Sequence, residues 1–155
     1  MELVPVRPEQ KEQFWNIFQK YLYEMTAFYD DDLDENGNYP YPYFEAYFTQ
    51  PERKALYLVE EGVPVGFAMV IPYSSIGETP DHVMAEFTIF PRYRKRRLAA
   101  SVVEALFRQY PGSWEIKYHE ANLPAKKLWT GVAAPYHPRR IALNDQETVL
   151  AFSTC

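Results

Sequence analysis

Five of the chain's 16 basic residues fall within six positions, Arg92-Tyr93-Arg94-Lys95-Arg96-Arg97. Before them runs an apolar stretch of strand character, His82 to Phe90. After them comes helical periodicity, with Leu98, Val102 and Leu106 on one row and Ala99, Val103 and Phe107 on the next. A strand, a short cationic loop and a helix start together form a site for phosphate. The first helical amides lack intrahelical partners and carry partial positive charge, and arginine and lysine add full charges. The ligand expected is a pyrophosphate or similar group lying across residues 94 to 99. The same run would also serve as a solvated loop or a nucleic-acid patch. A nucleic-acid domain calls for a basic balance, and this chain has 21 acidic residues and a net charge of −5. Neither a nucleic-acid partner nor a membrane partner is therefore expected.

A second feature is Glu86, a carboxylate in the middle of the apolar stretch. It must either be buried with a partner or face a cleft, because an unpaired buried charge is costly. Glu86 can therefore be catalytic or can simply pair with a basic side chain. His82 and His119 are further titratable candidates, each also readable as structural. A third feature is Tyr39-Pro40-Tyr41-Pro42-Tyr43-Phe44, preceded by Asp30, Asp31, Asp32, Asp34 and Glu35. Tyrosines alternating with prolines make a stiff amphipathic wall, and with those acids it would favour a cationic amine. The alternative is a solvated acidic loop whose tyrosines cover a sheet edge. Asp32-x-Asp34-x-Asn36-Gly37 matches the first half of a calcium loop, but the twelfth position is Tyr43 and Pro40 interrupts it. No metal is expected.

The elements that must position these residues are legible in outline. The length of 155 residues suits one domain, 1–155, and 47% apolar against 24% charged residues is the balance of a folded globule. Strands are expected at Leu3 to Val6, Ala55 to Val59, Val63 to Ile71, His82 to Phe90, Trp114 to Tyr118, Arg139 to Leu143 and Thr148 to Phe152. Glu60-Glu61-Gly62 reads as a hairpin turn. Helices are expected from Pro8 through Met25, from Ala46 to Gln50, after the basic run, and from Asn122, which caps a helix opened by Pro124. The fold class is α/β: a mixed, mostly antiparallel sheet of six to seven strands with helices on both faces. The only cysteine is Cys155, at the chain end, so an intrachain disulfide is excluded. The N-terminus lacks a signal-peptide pattern, and the longest apolar run, Val63 to Tyr73, is short and holds two prolines. The expectation is a cytoplasmic protein.

The segment Ala85 to Ala99 resembles the central strand and loop of the GNAT acetyltransferase superfamily. There the strand leads into Arg/Gln-x-x-Gly-x-Gly/Ala, whose amides cradle the pyrophosphate of coenzyme A. Arg94 takes the leading position and Ala99 the last, while Arg97 stands where the family has its first glycine. Asn122-x-x-Ala125-x-x-Leu128-Trp129 resembles the segment that flanks the pantetheine arm, and Pro111-Gly112-Ser113-Trp114 fits a bacterial branch of the family. The resemblance implies an N-acetyltransferase moving the acetyl group of acetyl-CoA directly to an amine, without a covalent enzyme intermediate. It implies cofactor contacts from Phe87 and Ile89 on the strand, from Arg94, Lys95, Arg96, Arg97, Leu98 and Ala99 in the loop, and from Asn122 and Trp129. It implies Glu86 as the base, with a strand amide near Ile89 polarising the carbonyl. Trp129 occupies the family's tyrosine position and cannot usefully protonate a thiolate. Tyr136 or solvent is left to act as the acid, and Tyr39, Tyr41 and Tyr43 are the expected acceptor wall. An acyl-CoA-binding or regulatory module with little turnover is the alternative. The aromatic surplus leaves material for a homodimer interface.

Overall fold

The computed structural model describes residues 1–94 and 97–155; Lys95 and Arg96, both expected at the phosphate loop, lie outside the described residues. Seven strands form one sheet in the order β1-β2-β3-β4-β5-β7-β6. They are β1 (Glu2–Pro5), β2 (Lys54–Glu60), β3 (Val63–Ile71), β4 (His82–Ile89), β5 (Ser113–His119), β6 (Arg139–Ala142) and β7 (Glu147–Ser153). The helices are α1 (Lys11–Met25), α2 (Ala46–Thr49), α3 (Leu98–Gln109) and α4 (Leu123–Ala133). The β2–β3 hairpin turns on Glu61 and Gly62, both at positive φ (50° and 79°), the geometry that matches strand twist and that glycine adopts without cost.

Period-two alternation builds a core on each face. From β2, Leu56 and Leu58 point to the side of α3 and α4, where they meet Val102, Leu106 and Trp129. Ala55 and Tyr57 point to the side of α1 and α2 and meet Phe14, Phe18 and Phe44. Phe14 and Phe18 are one helical turn apart and fully buried against Phe67, with ring centroids 5.2 and 5.8 Å from it. That anchoring fixes the rotation of α1 and so sets where its next turn, carrying Tyr21, faces. Burying two such rings contributes about 2–3 kcal/mol each.

Two irregularities shape the centre of the sheet. All neighbouring strands pair antiparallel except β4 and β5, which run parallel and pair only from His82–Trp114 to Met84–Ile116. Beyond that point they part. The register of β4 against β3 also slips by one residue, from Glu86 opposite Met69 to Met84 opposite Val70, leaving Ala85 as a bulge. The bulge re-aims Glu86 at the start of the gap. Farther along β3, opposite Ile89, Gly66 is required, because a Cβ there would fall well inside contact distance of the Thr88 carbonyl oxygen.

Candidate active site

Glu86 is the centre of the site. It is half-buried, and its carboxylate accepts hydrogen bonds from the Tyr21 hydroxyl (Oε1, 3.0 Å) and the Tyr41 hydroxyl (Oε2, 3.2 Å). Burial raises its pKa to about 7, against the downward pull of those two donors and of Lys117. Burial, with the Glu86 charge beside it, also pushes Tyr21 and Tyr41 well up, so both hydroxyls stay protonated donors. Tyr41 is held edge-on against Phe18 at 4.7 Å, and Tyr21 stacks on the same ring at 5.8 Å. The loop carrying Tyr41 is fixed where the Gln19 side chain grips the Tyr39 backbone, donating to its carbonyl (2.9 Å) and accepting from its amide (2.6 Å).

Two cavities meet here. One, of about 350 Å³, is lined by Glu86, Tyr29, Tyr39, Tyr41, Lys117 and His119. The other, of about 630 Å³ and mostly apolar, runs along the parted edge of β4 past Phe87 and Ile89 to Arg94 and Ala99, with Asn122 and Ala125 opposite. Tyr21, Phe87, Asn122 and Trp129 line both. The Phe90 amide donates to Val65 on β3, so by alternation the amides of Phe87 and Ile89 turn away from β3 toward the gap. At the far end, no side chain among the described residues caps α3, which leaves its start as a candidate anion site.

The structure sorts the sequence candidates. Glu86, Phe87, Ile89, Arg94, Ala99, Asn122, Trp129, Tyr39 and Tyr41 line the two cavities. Trp129 is both core and wall, its ring edge-on to Phe87 at 5.2 Å. Tyr43 is a correction: it is 59% exposed and packs on the Arg53 guanidinium at 4.8 Å, outside the cavity. Tyr136 is another. A short turn, Ala134–Tyr136, stacks its ring on Phe152 and sets it edge-on to Phe107, in a separate groove beside Arg139. His82 accompanies Trp114 at the opposite end of β4. The Leu98 side chain belongs to the core, leaving only its backbone for the site.

Arg94 is not a free phosphate ligand. Its guanidinium donates to both Glu24 oxygens (2.9 and 2.8 Å), to the Ile89 carbonyl (2.7 Å) and to Thr88 Oγ1 (3.1 Å). It pins the loop to α1, and its hydrogen bonds hold the Glu24 carboxyl below its usual range. Arg97, the residue just before α3, has φ 53° and ψ 19°, the left-handed geometry its glycine counterpart would adopt freely. Of the acidic run, Asp31 lines the cavity, whereas Asp34 accepts from the Asn36 and Asn38 amides and folds its own turn. Among the described residues no group of three or more His, Cys, Asp or Glu could hold a metal ion. Tyr21 and Tyr29 escaped the sequence reading. A tyrosine inside an apolar helical stripe looks like core, and its hydroxyl is the one signal that it needs a polar partner.

The site is thus a parallel strand pair that parts beside the start of a helix, with a carboxylate lining the opening. The sequence model of the Acetyltransferase (GNAT) family matches residues 12–131, and the chain belongs to that family. Solved structures similar to it include an acetyltransferase from Thermus thermophilus (17% identity, TM-score 0.70, covering 98% of this chain and 96% of that one). A GNAT-family acetyltransferase from Streptococcus agalactiae is similar at 14% identity and TM-score 0.72, covering 99% and 95%. The Campylobacter jejuni N-acetyltransferase PseH, solved with acetyl coenzyme A, is similar at 7% identity and TM-score 0.62, covering 99% of each chain. No curated protein sequence matches.

Proposed function

We propose that the protein transfers the acetyl group of acetyl-CoA to a primary amine, with Glu86 as general base. The observation that carries this reading is the position of Glu86, a carboxylate with a pKa of about 7 that lines the first cavity next to Phe87, which lines both. Acetyl-CoA supplies the acyl group, activated as a thioester. The uncapped start of α3, at Leu98 and Ala99, would hold its pyrophosphate, and the apolar groove past Phe87, Ala125 and Trp129 would hold the pantetheine arm. The Phe87 and Ile89 amides face the gap as donors to a carbonyl oxygen that gains negative charge. Glu86 takes the proton from the amine as nitrogen bonds to the acyl carbon and the carbon–sulfur bond breaks. Tyr21 lines both cavities and donates to Glu86, so its hydroxyl is placed to pass a proton on to the departing sulfur. It takes the role first given to Tyr136.

Thiol release from acetyl-CoA with a panel of amines tests the reading. Turnover should fall about 10²- to 10⁴-fold in Glu86→Gln. Calorimetry that shows no acetyl-CoA binding at millimolar concentration would refute it.

A further inference from the structure

The 350 Å³ cavity is lined by two carboxylates, Asp31 and Glu86, and by two donors, Lys117 and His119, which are two residues apart and therefore on one face of β5. Beyond Met84–Ile116 the strands part and β4 bulges at Ala85, and Glu86 stays near enough to Lys117 for the ammonium to pull its pKa down. The strands have parted there, leaving space for a small molecule to lie between the two sets of groups.

His119 is only 8% exposed, and Nδ1 accepts from the Ala121 amide at 3.0 Å. The ring proton is therefore on Nε2, which makes that atom a donor. Nε2 is buried without a partner among the described residues, flanked by the Phe28 and Tyr29 rings at 5.7 and 5.4 Å. A donor left so is costly, and an oxygen arriving from the cavity would offset that cost. Lys117 has three donors and, among the described residues, one ion-pair partner, Glu147 Oε2 at 3.4 Å. That oxygen already accepts from Tyr29 at 2.9 Å, and Asn144 donates to the other at 2.9 Å. Glu147 is thus well supplied, and the ammonium has donors to spare.

From this arrangement we infer that the acceptor is a free amino acid, its amine toward Glu86 and its carboxylate toward Lys117 and His119. A polyamine would bring a second ammonium up to Lys117, where like charges repel. A simple alkylamine would leave His119 Nε2 unpartnered. The cavity volume is of the order of one small ligand rather than a polypeptide segment. The inference rests on the acetyl-transfer reading above and names the substrate class of the same site.

The test is kcat/KM for the twenty amino acids, each beside its carboxamide and its decarboxylated amine, followed by thiol release. At least one acid should exceed its own amide and amine by ten-fold or more. In Lys117→Met and in His119→Phe that ratio should fall toward one. A variant that merely folds poorly lowers both rates together and leaves the ratio intact. The inference is overturned if amides or amines match the acids, if the ratio survives both substitutions, or if no amino acid is acetylated by protein that binds acetyl-CoA. Failure to bind acetyl-CoA at all would instead overturn the acetyl-transfer reading, and this inference with it.

Discussion

Removing one hydroxyl, in Tyr41→Phe, should move the pH dependence of the reaction upward without removing the base. A general base must be ionised, so kcat/KM should be lost as pH falls through the pKa of Glu86, about 7 in the native site. Burial raises that value, and the Tyr21 and Tyr41 hydroxyls oppose the rise by donating to the ionised form. A hydrogen bond to a charged group contributes about 1.5–3 kcal/mol. The Tyr41 bond, at 3.2 Å, belongs at the low end. At 1.36 kcal/mol per pH unit, its loss should raise the acidic limb by about one unit, to near pH 8. The assay is thiol release between about pH 5.5 and 9.5, with the same amine for both proteins so that the amine's own titration cancels. A limb that stays put or moves down in Tyr41→Phe would refute the reasoning, as would the same limb persisting in Glu86→Gln.

Three further outcomes follow from the same geometry. Because the folded-state pKa of Glu86 lies above its unfolded value of 4.5, the native state binds more protons between about pH 4.5 and 7, and stability is lost as pH rises through that window. Glu86→Gln should therefore match the wild type near pH 4.5 and exceed it by about 2 kcal/mol at pH 8 in urea unfolding, allowing for partial solvation of the site. Arg97→Gly should leave stability unchanged or raise it by up to ~1 kcal/mol, because glycine meets φ 53° without strain; a thermal melt showing a clear loss would mean Arg97 makes a stabilising contact. Gly66→Ala should cost about 2–4 kcal/mol in the same unfolding assay, since the added methyl must push β3 from the Thr88 carbonyl beside the gap.

What the sequence made legible follows the range of the forces involved. Hydrophobic period, turn chemistry and helix caps act between near neighbours, and they located the Glu61-Gly62 hairpin, the seven strands and the Asn122 cap, whose Oδ1 accepts from the Ala125 amide at 3.3 Å. Glu86 stood out because a lone carboxylate in an apolar strand demands an explanation. Its partners did not stand out, since Tyr41 and Tyr21 lie 45 and 65 residues away and meet it only through the packing of α1. The same limit misplaced Tyr136, whose nearness in sequence to Trp129 is undone by one tight turn toward Phe152. Arg94 looked like a phosphate ligand until Glu24, 70 residues earlier, took its guanidinium. No helix among the described residues is long and apolar enough to cross a membrane.

The most direct test of the central claim is a crystal structure of the protein with coenzyme A. Pyrophosphate oxygens should lie within about 3 Å of the amides that open α3, the pantetheine arm in the groove between Phe87 and Ala125, and the thiol end beside Glu86. Coenzyme A bound elsewhere, with the start of α3 and the β4–β5 gap empty, would contradict it.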